Sequence, residues 1–196
     1  TNFTNILIAD PRLVAVYPNG LIAPGRLGEN PLLQNQRGYS KTWKSPVYST
    51  FTATYKVPFV KGLRVDASFN YDISNTKRKV FELPYWYHEY NVNTGEYEKK
   101  KGTGQSMVML RDTYNMGSNM LYNYRITYDR TFGQHRVALM LGQEQQISTN
   151  SSLMGYRQNF ISSTIDELNV GSSAKEDQES SGSSSRTARN VSFIEL

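Results

Sequence analysis

The sequence predicts an all-β fold: long antiparallel hairpins belonging to part of a transmembrane β-barrel, with long irregular loops of the extracellular type. Three observations predict it. The first is Leu63–Ser74, LRVDASFNYDIS, where Leu63, Val65, Ala67, Phe69, Tyr71 and Ile73 alternate strictly with Arg64, Asp66, Ser68, Asn70, Asp72 and Ser74. Successive side chains of a strand point to opposite faces, so the stretch is a ribbon with one oily and one wet side, and helical spacing would scatter the same residues. The second is length, since ordinary strands run about 5–6 residues and a tilted bilayer-crossing strand about 9–11. The third is the chain's rhythm of short turns at one end of each hairpin and long loops at the other, the asymmetry of outer-membrane barrels. One long strand of a soluble sheet with a solvated face is the plainer reading of the ribbon by itself.

The elements follow in order. Residues 1–47 are expected to be irregular, because Pro11, Pro18, Pro24, Pro31 and Pro46 with Gly20, Gly25, Gly28 and Gly38 interrupt any long element. Within them Asn19-Gly20 is a turn signal, and Ile6–Ala9 and Leu13–Tyr17 are candidate short strands. Residues 48–74 form the first hairpin: Phe51, Ala53, Tyr55 and Val57 alternate with Thr50, Thr52, Thr54 and Lys56, then Pro58–Gly62 turns the chain into the ribbon. Residues 75–117 read as a long loop that is basic at Lys77-Arg78-Lys79 and aromatic from Tyr85 to Tyr90, with a small hairpin around Asn93-Thr94-Gly95.

Residues 118–147 repeat the first hairpin. Met120, Tyr122, Tyr124, Ile126 and Tyr128 oppose Asn123, Arg125, Thr127 and Asp129, with Leu121 out of place on the polar side; Thr131–His135 turns the chain. The returning strand places Val137, Leu139 and Leu141 on one side and is less regular. Residues 148–190 read as a Ser-rich flexible loop with a helical turn at Thr164–Leu168, and 191–196 as the start of another strand. The chain opens on TNFTNILIAD without an initiator Met and stops within a new alternation, which leads us to expect an internal piece of a larger protein.

Bulk composition narrows the function classes. No run of about 20 apolar residues occurs, so no transmembrane helix is expected, and a barrel would not show one. Cysteine is absent, which removes disulfides and thiolate catalysis. The net charge of +5 is dispersed except at Lys99-Lys100-Lys101, which reads as a solvated loop, so no nucleic-acid partner is expected. His88 and His135 are too few for a zinc site, and Asp10, Asp166 and Glu167 do not form a calcium loop. With no phosphate-cradling glycine motif and no nucleophile elbow, the expectation is a non-enzyme without metal or cofactor.

Five phrases taken together carry a resemblance: Asn30-Pro31-Leu32-Leu33, Gly38–Thr42, Tyr55–Leu63, Tyr128–Gly133 and Asp166–Gly171. In this order and spacing the chain resembles the SusC/RagA-type TonB-linked outer-membrane transporters, from about residue 10 to its end. The resemblance implies a bacterial outer-membrane barrel, a plug domain, a TonB partner and a SusD-like surface lipoprotein, with glycan or peptide as substrate. Neither plug nor TonB box is present in the chain, so wall and outer loop are what it is expected to supply. Phe51, Tyr55, Phe69, Tyr71, Tyr124 and Tyr128 are expected to face lipid; Thr52, Arg64, Asp66, Asn70, Asn123 and Arg125 are expected to face the lumen. Tyr85, Trp86, Tyr87 and Tyr90, with Trp43, are the candidates for touching substrate or lid, since aromatic rings offer rigid contact area; loop packing and an interfacial aromatic belt explain the same residues. The alternatives are a soluble secreted β-sandwich binding module using Trp86 and its neighbours, and a structural surface protein that only mimics the alternation.

Overall fold

A computed structural model describes residue 10, residues 12–25, 30–34 and 36–196. The protein is all-β with antiparallel sheets. Among the described residues seven strands follow one another: β1 Gly38–Lys56, β2 Leu63–Glu82, β3 Trp86–Asn91, β4 Glu96–Lys101, β5 Met109–Phe132, β6 His135–Gln158 and β7 Gln178–Glu195. Five pair in the order β1-β2-β5-β6-β7, and β3 pairs with β4 in a separate two-stranded sheet. No helix among the described residues is long and apolar enough to cross a membrane.

The two hairpins stand where the alternation placed them, but every long strand outruns its pattern. β2 continues through the expected loop 75–117 to Glu82, and β5 begins within it at Met109. β1 begins at Gly38, inside the expected loop 1–47. The expected Ser-rich loop 148–190 is corrected most: β6 runs to Gln158, and β7 takes up the serines from Ser180 onward, so residues 191–196 end a strand. Backbone pairing with a neighbour outweighs the weak strand preference of serine. The helical turn forms at Leu168–Val170, after the expected position. Of Leu13–Tyr17 only an isolated bridge from Val16 to Ile22 remains, and Ile6–Ala9 lies outside the described residues.

The chain divides into two compact units. The first comprises Thr1–Thr42, Arg78–Thr113 and Met154–Ser180. Its core is Phe81, Leu110 and Phe160, with Tyr39, Leu83, Val108, Leu168 and Val170 packed around them. Phe81 meets Phe160 edge-on at 5.9 Å between ring centres. Beside this core Lys79 is buried, and its ammonium lies 3.2 Å from Asp166 and 3.5 Å from Glu167, while the Tyr39 hydroxyl donates to Asp166. These bonds tie the loop after β6 to β1 and β2. Gly38 sits at φ +89, and a Cβ there would run into the Phe81 carbonyl, so only glycine fits.

The second unit comprises Trp43–Lys77, Tyr114–Leu153 and Ser181–Leu196. Its strands keep two chemically distinct sides. On one, Asp66 accepts from Thr54 at 2.8 Å and lies 3.0 Å from Arg64 and 3.4 Å from Arg125. On the other, Phe69 packs with Phe51, Tyr71 and Tyr122, with ring centres 4.9–6.5 Å apart. Gly62, at φ +93, ends the first short turn. The second turn is Gly133-Gln134, with Gly133 at φ +60 in the first central position, as a two-residue hairpin of the II′ kind requires.

Candidate functional site

The aromatic cluster singled out by sequence lies largely on β3, and β3 acquires its form from β4. Asn93 and Gly95 close the turn: the Asn93 amide donates to the Asn91 side chain at 3.0 Å, and the Gly95 amide to the Asn91 carbonyl at 2.9 Å. The register pairs Trp86 with Lys101, Tyr87 with Lys100, His88 with Lys99, Glu89 with Glu98, Tyr90 with Tyr97 and Asn91 with Glu96. Directly opposed residues share a face, so the hairpin is sorted. One face carries Trp86, His88, Tyr90, Tyr97, Lys99 and Lys101; the other carries Tyr87, Glu89, Asn91, Glu96, Glu98 and Lys100.

The second face neutralises itself. Lys100 lies 2.5 Å from Glu89 and 3.8 Å from Glu98, and Asn91 donates to Glu98 at 2.5 Å. Glu89 holds the Lys100 ammonium above its ordinary value, first by hydrogen bonding and then by charge. The first face has no carboxylate. Lys99 stands 5.2 Å over the half-exposed Trp86 ring, and Tyr90 packs on Tyr97 at 5.1 Å. Tyr17 packs on Tyr97 at 4.8 Å, and the His88 amide donates to the Ile22 carbonyl at 2.8 Å, which fixes the Tyr17–Ile22 turn along this hairpin.

The predicted contact residues fall in different places. Trp86 and Tyr90 are exposed on the sorted face. Tyr87 is half-buried on the opposite face. Tyr85 is corrected: it is 3% exposed, its ring sits against Gly102 and under Arg37 at 4.8 Å, and its hydroxyl donates to Thr103 at 3.0 Å, leaving no ring face for a ligand. Trp43 belongs to the other unit, exposed and 5.8 Å from the Lys77 ammonium. Arg64, Asp66 and Arg125 meet as one polar cluster, and Asn70 and Asn123 are half-buried on strands β2 and β5 at the same parity as Asp66 and Arg125. Lys99 and Lys101 beside Trp86, and Tyr97 against Tyr90, are contacts the sequence reading missed; the Asn93-Thr94-Gly95 turn was the signal, because it fixes which residues oppose β3. Among the described residues no group of three or more His, Cys, Asp or Glu side chains is placed to hold a metal.

Fold and site define an all-β chain with a two-faced antiparallel sheet and a chemically sorted hairpin. No protein-family model matches the chain, and no curated protein is significantly similar to it.

Proposed function

We propose that the chain is barrel wall and outer loop of a TonB-dependent outer-membrane nutrient importer of the SusC/RagA type, taking up glycan or peptide with a SusD-like lipoprotein. The observation that carries this is the oily side of the second unit, where Phe51, Tyr55, Tyr124, Ile126, Val137, Leu141 and Leu153 are all exposed. A water-soluble sandwich would cover such a row, since monomeric soluble proteins rarely leave large contiguous apolar patches open. The ends of the row also suit a bilayer. Trp43 and Tyr55, both exposed, are twelve residues apart on β1. That is about 40 Å of strand, or about 30 Å of depth at the ~40° tilt of such barrels. The wet side, with Arg64, Asp66 and Arg125, suits a watery lumen. The exposed rings of the β3–β4 hairpin supply the substrate- or lid-contacting loop.

The chain has no cysteine, so single cysteines report cleanly. With the protein in phospholipid vesicles, environment-sensitive fluorophores at Phe51 and Tyr124 are expected to be blue-shifted and quenched by lipid-borne nitroxide. Those at Asn70 and Asn123 are expected to be quenched by aqueous iodide. Water-like emission at all four sites would overturn the wall reading in favour of the soluble binding module.

A further inference from the structure

The sorting of the β3–β4 hairpin has more chemical content than a generic aromatic loop. All three carboxylates of the hairpin, Glu89, Glu96 and Glu98, lie on one face, where Lys100 answers two of them. Lys99 and Lys101 lie on the other face with Trp86 and no acid at all. In a loop built only for solubility the two signs would mix on both faces. Here one face is a cation-flanked aromatic platform. We propose that the Trp86–Lys99–Lys101 face binds the acidic sugar residues of an anionic glycan. This rests on the reading of the hairpin as a ligand-contacting loop.

The geometry suits that ligand. The apolar C–H face of a pyranose stacks on an exposed indole, and Trp86 offers 42% of its surface. Lys99 already stands over one face of the ring at 5.2 Å, so a sugar that stacks on the indole takes the other face or displaces the ammonium to its edge, and in either pose a carboxylate it bears comes within reach of that flexible amine. Lys101 donates one proton to the Ser106 carbonyl at 3.0 Å, which steadies the chain and leaves its other protons to a ligand oxygen. A neutral sugar would leave both cations unanswered on this face.

The test is calorimetric titration with oligogalacturonate and with its methyl ester, the same sugar without charge. The acid form is expected to bind at least about tenfold tighter, and the difference to shrink as salt screens the lysines. Trp86→Ala is expected to weaken the acid form about tenfold. Lys99→Ala is expected to weaken it about three- to fivefold, the range of an exposed ion pair. Lys100→Ala, on the opposite face, should change it less than about twofold. A single-stranded oligonucleotide serves as a plain polyanion and should bind weakly, with no dependence on Trp86. Equal affinity for acid and ester, both lost with Trp86→Ala, would overturn the charge preference and leave the glycan-contacting loop standing. An equal loss from Lys100→Ala, or oligonucleotide binding as tight as oligogalacturonate, would overturn the assigned face. Failure to bind either sugar would remove both the preference and the glycan role of the loop.

Discussion

At the scale of single residues, a few buried polar groups hold the first unit in shape. Asn30 is buried and donates to the carbonyls of Ala15 at 2.6 Å and Ala23 at 2.9 Å, while its side-chain oxygen accepts from Leu32 at 3.0 Å. This side chain reinforces the short backbone pairing of Tyr17 with Leu21 and of Ala23 with Ala15. Asn30→Ala is expected to cost about 1–3 kcal/mol by removing the side-chain partners of the Ala23 carbonyl and the Leu32 amide, read as faster hydrogen exchange around Val16 and Ile22. Gly38→Ala should cost about 1–3 kcal/mol from its left-handed backbone alone and more from the clash with Phe81, seen as a lower thermal midpoint. Asp177 gives a pH prediction. Its carboxylate is buried and is held below the usual range by hydrogen bonds from Ser172, then Gln158, then Asn159. Its folded value therefore lies below the unfolded value near ~3.9. The stability it contributes is complete above that unfolded value and is lost as pH falls through the lower folded one. Asp177→Asn should flatten the acid limb of an unfolding titration below about pH 4 and leave the neutral plateau less stable.

Elements differ in how far the sequence revealed them. The ribbon Leu63–Ser74 was legible because period-two alternation has no helical reading at that length, and Phe69 and Asp66 do lie on opposite sides; their partners Tyr122 and Arg125 came only with the pairing of β2 to β5. The strand ends were not legible. Beyond Ser74, β2 runs through Asn75-Thr76-Lys77-Arg78, where no oily side announces itself. β7 was hidden more deeply, since Ser180–Ser185 has linker composition and becomes strand only because β6 offers a partner. Half of the candidate site was legible in Trp86 and Tyr90; the other half, Lys99 and Lys101, depended on a register that a run of three lysines does not disclose. β7 is also locked by shape, because a Cβ on Gly142 would enter the Phe193 ring. Gly142→Leu is expected to displace Phe193 and cost about 1–3 kcal/mol by overpacking, measured as a lower denaturant midpoint and as increased hydrogen exchange across β7.

For the molecule as a whole, the exposed oily row makes a prediction about solvent. With Phe51 66% and Tyr55 58% exposed, the chain in detergent-free water should self-associate, and detergent should render it monodisperse. Replacing Phe51, Tyr55 and Tyr124 together by serine is expected to raise the concentration at which it stays monomeric by about tenfold or more, measured by light scattering. A wild-type chain monomeric at high concentration without detergent would contradict an uncovered oily side. The polar cluster is a smaller matter, since its arginines are solvent-accessible, and Asp66→Ala should move the thermal midpoint less than Gly38→Ala does.

The pairing of β2 with β5 constrains how this chain can change over generations. Asp66 meets Arg125 and Phe69 meets Tyr122, so each partner keeps its neighbour only while the count of residues between them stays even-handed. Losing one codon at Asn70 would carry every later side chain of β2 to the opposite side of the sheet, oily groups among the charges and charges among the aromatic rings. Gene-length variation in these strands should therefore arrive two codons at a time, and the turn at Asn93–Gly95 should keep its length, since it sets which lysines oppose Trp86 and His88.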